Sequence, residues 1–561
     1  MALAPSINDH LNRMHREAEE RDARRRADKA HLPYADLKTT PINIEALALI
    51  PEAESRDAQA ATIELKEKTR EVVLVVVRPD SPKIAAIIEN LETQNWKAAL
   101  CVVSLSSLEH VWNFYKFVPE KVEKITGGID ISNEKLLKLR AQITSLDEMK
   151  KALGEVNRTD IYTSEILEIL LAGALALRAS DIHLEASEKN VRLRLRIDGL
   201  LHDVFTDLKK KVYLFLLSRI KLLSELKLNV HDEPQDGRFA VHLPGKEIEI
   251  RVAIAPAEFG EVAVMRILDP DAINISLAEL GLRDDDLRII EEELKKPNGM
   301  ILNTGPTGSG KTTTLYAFLK RKKTPEIKII TIEDPIEYRI EGIEQTQVDE
   351  EGGYTFASGL RSLMRQDPDV ILVGEIRDKE TSEIAIQAAL TGHLVFSTVH
   401  ANEAAGAIPR LVDLGVRPAS IGPAVNLIIA QRLVRRLCET CKVETPTPQE
   451  VEEKIKKLIT SLPSRVNRDR LQARKGYNAK GCSVCNGLGY KGRIAIYELL
   501  SIEAKAEELI RKEVAEAELQ RFAREQGMVT MQQDGIIKVV EGITTIEEVE
   551  SVTGPIDWGA L

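Results

Sequence analysis

The run Gly305-Pro306-Thr307-Gly308-Ser309-Gly310-Lys311-Thr312-Thr313 has the residue types and spacing of a loop that cradles phosphate. Glycines let backbone N–H groups turn inward around phosphate oxygens, and a helix beginning at the lysine adds partial positive charge there. Lys311 would reach the β- and γ-phosphates of a nucleoside triphosphate, and the Thr312 hydroxyl would ligate Mg²⁺. The apolar residues 300–304 in front read as a short buried strand and residues 313–320 behind as a helix, the setting such a loop requires.

A second constellation is built from thiols. Cys438-Glu439-Thr440-Cys441 and Cys482-Ser483-Val484-Cys485 are two C-x-x-C pairs, each offering two sulfurs from one tight turn, as tetrahedral Zn²⁺ demands. Asn486-Gly487-Leu488-Gly489 supplies the positive-φ residues of a knuckle turn. Redox C-x-x-C motifs do not usually come as two pairs, so structural zinc is the expectation, with unliganded thiols as the alternative. The fifth cysteine, Cys101, lies in an apolar context and reads as core.

Four short apolar strand candidates run into polar residues: 300–303 before the phosphate loop, 327–332 before Glu333-Asp334, 370–373 before Gly374-Glu375, and 393–396 before Ser397-Thr398-Val399-His400. Alternation of helix and strand patterns from 274 to about 435 predicts a largely parallel, doubly wound sheet, whose ligand lies outside the carboxyl ends of the strands. The four clusters are therefore expected to converge. Glu375 is the carboxylate that would hold the Mg²⁺ shell or orient attacking water, and Glu333 or Asp334 would position water, the other serving as a helix cap. His393 and His400 are read as phosphate sensors at strand ends, against the alternative of ordinary core or surface histidines.

Upstream, residues 181–185 and 191–198 alternate as strands of a hairpin. Val191, Leu193, Leu195 and Ile197 fall on one side, and Arg192, Arg194 and Arg196 on the other. Such a row calls for an anion opposite or for water on a solvated face. Arg194, Arg196 and Arg219, the last on a helix candidate spanning 213–228, are candidates to complete the nucleotide site from an adjacent protomer.

The segments 305–314, 331–338, 360–378 and 391–400 resemble the four boxes of secretion-system ATPases, specifically the assembly ATPases of type IV pili and type II secretion systems. The resemblance spans about 159–500, more weakly from 41. It implies an α/β fold with a RecA-like P-loop ATPase core, a preceding α+β domain of PAS-like type, a small N-terminal α/β domain and a tetracysteine zinc module. It places Glu375 in the Walker B motif, Glu333 and Asp334 in the aspartate box, and His393 and His400 in the histidine box. It also implies ATP, Mg²⁺ and Zn²⁺ as cofactors, a homohexamer driving an inner-membrane platform protein through interdomain motion, and a location at the inner face of the cell membrane. The cysteine module marks the assembly class and is absent from retraction ATPases. Three positions depart from the family's pattern: Ala401 lacks a hydroxyl, Glu403 lengthens a carboxylate, and Ala257 replaces a threonine.

At 561 residues the chain exceeds one hydrophobic core. The expected divisions are a charged, flexible segment at 1–40, an α/β docking domain at 41–120, a helical linker at 121–157, an α+β domain at 158–272, the ATPase core at 273–435, the cysteine module with a charged insertion at 436–500, and C-terminal helices at 501–561. Interleaved acids and bases make 1–40 a solvated helix rather than a basic recruitment arm. No apolar run approaches the roughly 18 residues of a membrane span, and no signal peptide is visible, which points to the cytoplasm. A net charge of −11 argues against a nucleic-acid translocase, so no direct nucleic-acid contact is expected. A nucleotide-gated scaffold with little turnover is the other rival. The choice between pilus extension and type II secretion stays open.

Overall fold

The computed structural model describes residues 7–37, 42–47, 49–66, 70–93, 96–115, 128–129, 133–159, 163–272, 275–471 and 475–559. It divides into two compact units, Met1–Thr126 and Gly127–Leu561.

The first unit is a three-stranded sheet in which Glu71–Val76 lies between antiparallel Ala60–Lys66 and parallel Lys97–Val102. The unbroken apolar run of the central strand reflects cover on both faces: Val72, Leu74 and Val76 enter one core, Val75 and Val77 the other. The helix Ile7–Ala30 is less solvated than its charge predicts, because Ala23 and Ala27, four residues apart on one face, are buried. Glu20 on the same helix accepts from Tyr34 Oη at 2.6 Å and Ser104 Oγ at 2.7 Å.

The second unit opens with a seven-stranded sheet whose main strands are Asp181–Ala186, Asn190–Ile197, Leu200–Lys209, Gln235–Leu243, Lys246–Ala257 and Gly260–Leu268. Val191, Leu193, Leu195 and Ile197 point into its core, as their alternation predicts. Helices Asn133–Gln142 and Leu146–Thr159 fall in the stretch expected as a helical linker at 121–157, of which residues 121–127 and 130–132 lie outside the described residues. Met149 and Leu153 are buried in the same core, worth about 1.5–3 kcal/mol each. Their charged neighbours hide this stripe in the sequence.

The larger sheet has the order Glu344–Gln347, Ile329–Glu333, Val370–Val373, Leu394–Val399, Gly299–Thr304, Val425–Leu437, Tyr490–Ser501. The first six strands are parallel and the last is antiparallel. Helices Asp284–Lys295 and Lys311–Lys322 cover one face, and Phe356–Leu363 and Lys379–Leu390 the other. The sheet runs past the expected core boundary at 435. Tyr490–Ser501 pairs along nearly its whole length with Val425–Leu437, and most of its side chains from Ile494 onward are buried. Between these strands the chain makes an excursion containing the hairpin Lys442–Pro446 with Lys475–Ala479 and the helix Gln449–Ser461, which packs on the C-terminal helix Met531–Val540. Among the described residues no helix is long and apolar enough to cross a membrane.

Candidate functional site

The phosphate loop sits at the carboxyl end of Gly299–Thr304 and passes into the helix beginning at Lys311. Gly305 and Gly310 have φ of 149° and 90°. A Cβ on Gly305 would stand 2.6 Å from Gln431 O, and one on Gly310 2.8 Å from Gln431 Nε2, so the loop lies too close to the neighbouring strand for any side chain. Pro306, Thr307 and Gly308 form the exposed rim, while Ser309 is buried with its Oγ lacking a partner among the described residues. Lys311 Nζ donates to Gly305 O at 2.8 Å and Pro306 O at 3.1 Å, folded back over the space the loop encloses. Burial pushes its ammonium below the ordinary lysine range, nearby Glu375 opposes this, and Arg432 adds to it. Thr312 is exposed beside the loop and Thr313 half-buried. The loop, the lysine and an accessible hydroxyl fit a triphosphate with Mg²⁺.

Glu375 follows Val370–Val373 and is held by Arg377, whose guanidinium it keeps above its ordinary range, with His400 Nε2 3.4 Å from its other oxygen. His400 follows Leu394–Val399, whose Ser397 and Thr398 donate to Val373 O and Gly374 O at 2.8 and 2.9 Å. These two bonds lock the two strand ends together. Lys311, Glu375 and His400 therefore share one end of the sheet.

His393 does not join them. It precedes the same strand, with Nδ1 3.0 Å from Ala388 O, and a rise of about 3.3 Å for each step from 393 to 400 places it roughly 23 Å from His400. Parallel strands gather their carboxyl ends at the ligand, so a histidine at the amino end is turned away from it.

Glu333 is also withdrawn. Its carboxylate is buried and accepts from Tyr316 Oη, from Thr331 Oγ1 at 2.6 Å and from Gln345 Nε2 at 3.1 Å. Burial pushes its pKa up against those bonds, and raises that of Tyr316 as well. The arrangement pins a strand end and leaves little of the carboxylate for water. Asp334, more exposed, lies 3.5 Å from Arg377.

The arginine row meets carboxylates within its own sheet: Arg192 pairs with Asp203 at 2.7 Å, Arg194 with Glu185, and Arg196 with Asp181 at 3.3 Å. Cross-strand acids on Asp181–Ala186 and Leu200–Lys209 thus supply the anions that the alternation required. Arg219 is half-buried and pairs with none of the described acids. Within one chain, none of Arg194, Arg196 and Arg219 contacts the phosphate loop.

Residues missed in the sequence hold the loop from behind. Gln431 Oε1 accepts from Asn303 Nδ2 at 3.0 Å and Thr314 Oγ1 at 2.9 Å, joining the strand before the loop to the helix after it. Arg432, buried and with its pKa lowered by burial, donates to Gln431 O at 3.0 Å and Asn402 O at 2.9 Å. A Gln-Arg pair inside an apolar strand was the available signal.

The four thiols form a separate centre. Strands Val425–Leu437 and Tyr490–Ser501 deliver them: Cys438 N donates to Gly489 O at 2.9 Å where the ladder ends, bringing both pairs to one place. The four sulfurs lie within 4.8 Å of one another, and neighbouring ones 3.7–3.9 Å apart, close to the edge of a tetrahedron with Zn–S bonds of about 2.3 Å. None is in a disulfide. Burial raises the Cys485 thiol, yet backbone N–H groups of Cys482 and Gly489 outweigh it and bring the thiol down to about 7. Asn486, Gly487 and Gly489 adopt positive φ, as the turn requires. The donor set fits zinc.

Comparison with known proteins adds sequence-wide likeness. The model of the type II/IV secretion system protein family matches residues 158–551. Type II secretion system protein E of Pseudomonas aeruginosa is 45% identical over 431 residues, 77% of this chain and 81% of that protein. The type IV pilus assembly ATPase PilB of Myxococcus xanthus is 35% identical over 526 residues, 93% of this chain and 89% of that protein. The X-ray structure of the Legionella pneumophila ATPase DotB shares the fold at 22% identity, with a TM-score of 0.50 over 70% of this chain and 96% of that one.

Proposed function

The chain belongs to the type II/IV secretion system protein family, and from that premise we propose that it is a Mg²⁺-dependent ATP hydrolase that powers assembly of a type IV pilus or a type II secretion pseudopilus. The observation that carries this is the grouping of Lys311, Glu375 and His400 at one end of the parallel sheet, with His400 Nε2 3.4 Å from Glu375. Backbone N–H groups of the loop bind the phosphates, and Lys311 exchanges the carbonyls of Gly305 and Pro306 for phosphate oxygens. Mg²⁺, held by the Thr312 hydroxyl and the nucleotide, supplies neutralisation of charge on the phosphate oxygens. Glu375 orients the attacking water, and His400 reports on its state through their shared contact.

The working form is a homohexamer acting on a membrane platform protein. Arg194 and Arg196, exchanging Glu185 and Asp181 for phosphate, reach the nucleotide from the neighbouring copy together with Arg219. An exposed apolar face on the helix Lys210–Leu223, at Leu214, Phe215 and Leu222, supports burial between copies. The four cysteines hold zinc as a structural ion beside the ATPase sheet.

The test is steady-state hydrolysis by the purified full-length oligomer with and without Mg²⁺. Glu375→Gln is expected to retain ATP and lose turnover, and Lys311→Ala to lose ATP binding. Parental turnover in Glu375→Gln would remove its catalytic role, and absence of turnover in the parent would favour a nucleotide-gated scaffold.

A further inference from the structure

The turn that carries His400 is gripped from three sides by buried polar groups. Thr304 Oγ1 accepts from Ala401 N at 2.8 Å and donates to Ala401 O at 2.9 Å. Arg432 donates to Asn402 O at 2.9 Å. Glu498 Oε1 accepts from Ala404 N at 2.9 Å. Thr304 ends the strand before the phosphate loop and Arg432 lies against that loop, so both belong to the site described above. Glu498 is different: it sits on Tyr490–Ser501, the antiparallel edge strand, is 2% exposed, and has no place in the chemistry.

We propose that Glu498 is a positioning residue for hydrolysis, fixing residues 400–404 so that His400 faces Glu375, by accepting the backbone N–H of Ala404. This rests on the reading of Glu375 and His400 as hydrolytic groups. A buried carboxylate is costly to maintain, and a hydrophobic residue would fill the same space without that cost. Glu498 instead serves as an anchor, and the backbone N–H of Met531, the first residue of the helix Met531–Val540, favours its charged form. The turn is thereby tied to the C-terminal helices as well as to the sheet. Glu403 reinforces the link by accepting from Gln520 Nε2 on the neighbouring helix Glu516–Glu525. Three charged groups face Glu498: Glu403 opposes its ionisation, Arg524 favours it, and Arg432 is attracted to it. Burial dominates and brings its pKa up to about 7, yet both protonation states keep an oxygen that can accept from Ala404.

The full-length oligomer carrying Glu498→Ala, Glu498→Gln or Glu375→Gln tests this by ATP kinetics, a fluorescent ATP analogue and amide hydrogen exchange of residues 400–405. Glu498→Ala is expected to lower kcat at least tenfold with the KM for ATP within twofold of the parent, and to speed exchange at Ala404 while leaving the 299–304 strand protected. Glu498→Gln, which keeps an acceptor oxygen, is expected to recover most of that loss. The proposal is overturned if Glu498→Ala turns over at the parental rate, or if Ala and Gln lose turnover, ATP affinity and protection throughout the sheet together, which marks a purely structural role. Should the parent itself lack turnover, the hydrolytic reading fails separately. Exchange at Ala404 then decides the anchor alone, unchanged protection in Glu498→Ala sinking it.

Discussion

The nucleotide end of the large sheet and the cysteine cluster share the strands Val425–Leu437 and Tyr490–Ser501, yet they are built on opposite plans. Gln431 and Arg432 contact the phosphate loop from within the ladder, and Cys438 follows its end. At the nucleotide end, shape comes from the sheet: strand ends far apart in sequence are brought together by fully buried apolar runs, and the polar groups are fixed before any ligand arrives. At the cysteine end, three buried thiols and the half-buried Cys482 pack on one another. One site is preorganised by a core, and the other, if it takes zinc as proposed, would need the ion to serve as its core.

The sharpest break of this contrast is removal of zinc. One tightly held ion per chain is expected, and Cys482→Ser or a strong chelator should unfold the turns that carry the four thiols, since structural zinc contributes on the order of 10–16 kcal/mol in small peptides. The sheet should keep its far-UV signature and its ATP binding. Elemental analysis finding no zinc in protein purified without chelators removes the claim. The parallel break at the other end is the arginine row. If the partner copy supplies Arg194, Arg196 or Arg219, alanine at one of them should lower kcat by roughly 10³–10⁵, about 4–7 kcal/mol of barrier, with ATP affinity little changed. Parental kcat in all three would leave the row to its own acids Glu185 and Asp181.

The two ends of one strand sharpen the comparison further. His400→Ala is expected to reduce kcat roughly tenfold to a hundredfold, the range for losing a hydrogen bond to a charged group, since its contact with Glu375 is lost. His393→Ala should stay within about twofold, because it lies at the amino end of the strand and loses one hydrogen bond to Ala388 O. Equal losses in both variants would mean that His393 acts across a subunit boundary.

The smallest effect is a pH-dependent one at Glu498. Its folded pKa of about 7 stands above the ordinary 4.5, so its contribution to stability is fully present below about 4.5 and is lost as pH rises through about 7. At about 1.4 kcal/mol per unit, the penalty at pH 8 is on the order of 3 kcal/mol or slightly more. Glu498→Gln should therefore raise the melting temperature at pH 8 and have little effect at pH 5. An unchanged difference across that range would show that Glu498 does not titrate there.

What the sequence disclosed follows the same division. The phosphate loop and the C-x-x-C pairs are contiguous, so their chemistry is written in local spacing. Gln431, Arg432 and Glu498 are not, because their meaning depends on which strands become neighbours. Strand Gly299–Thr304 pairs with Val425–Leu437, more than a hundred residues on, and only this pairing makes Gln431 a bracket for the loop. His393 and His400 illustrate the converse, since proximity in sequence suggested a shared role that strand direction denies. The arginine row was legible as an alternation, but its acids lie on neighbouring strands of the hairpin and were not counted against it. Met149 and Leu153 were hidden in a segment whose charge made it read as a linker.

The excursion between the thiol pairs leaves and re-enters the fold at a single point, for Lys442 and Ala479 are partners across its basal hairpin. Insertion at residues 467–470, exposed at its far side, leaves that gate and the two cysteine pairs in place. The exposed turn can thus change length without moving the thiols beneath it. An engineer gains a position for a peptide tag or fluorescent reporter that leaves the ATPase sheet uncut.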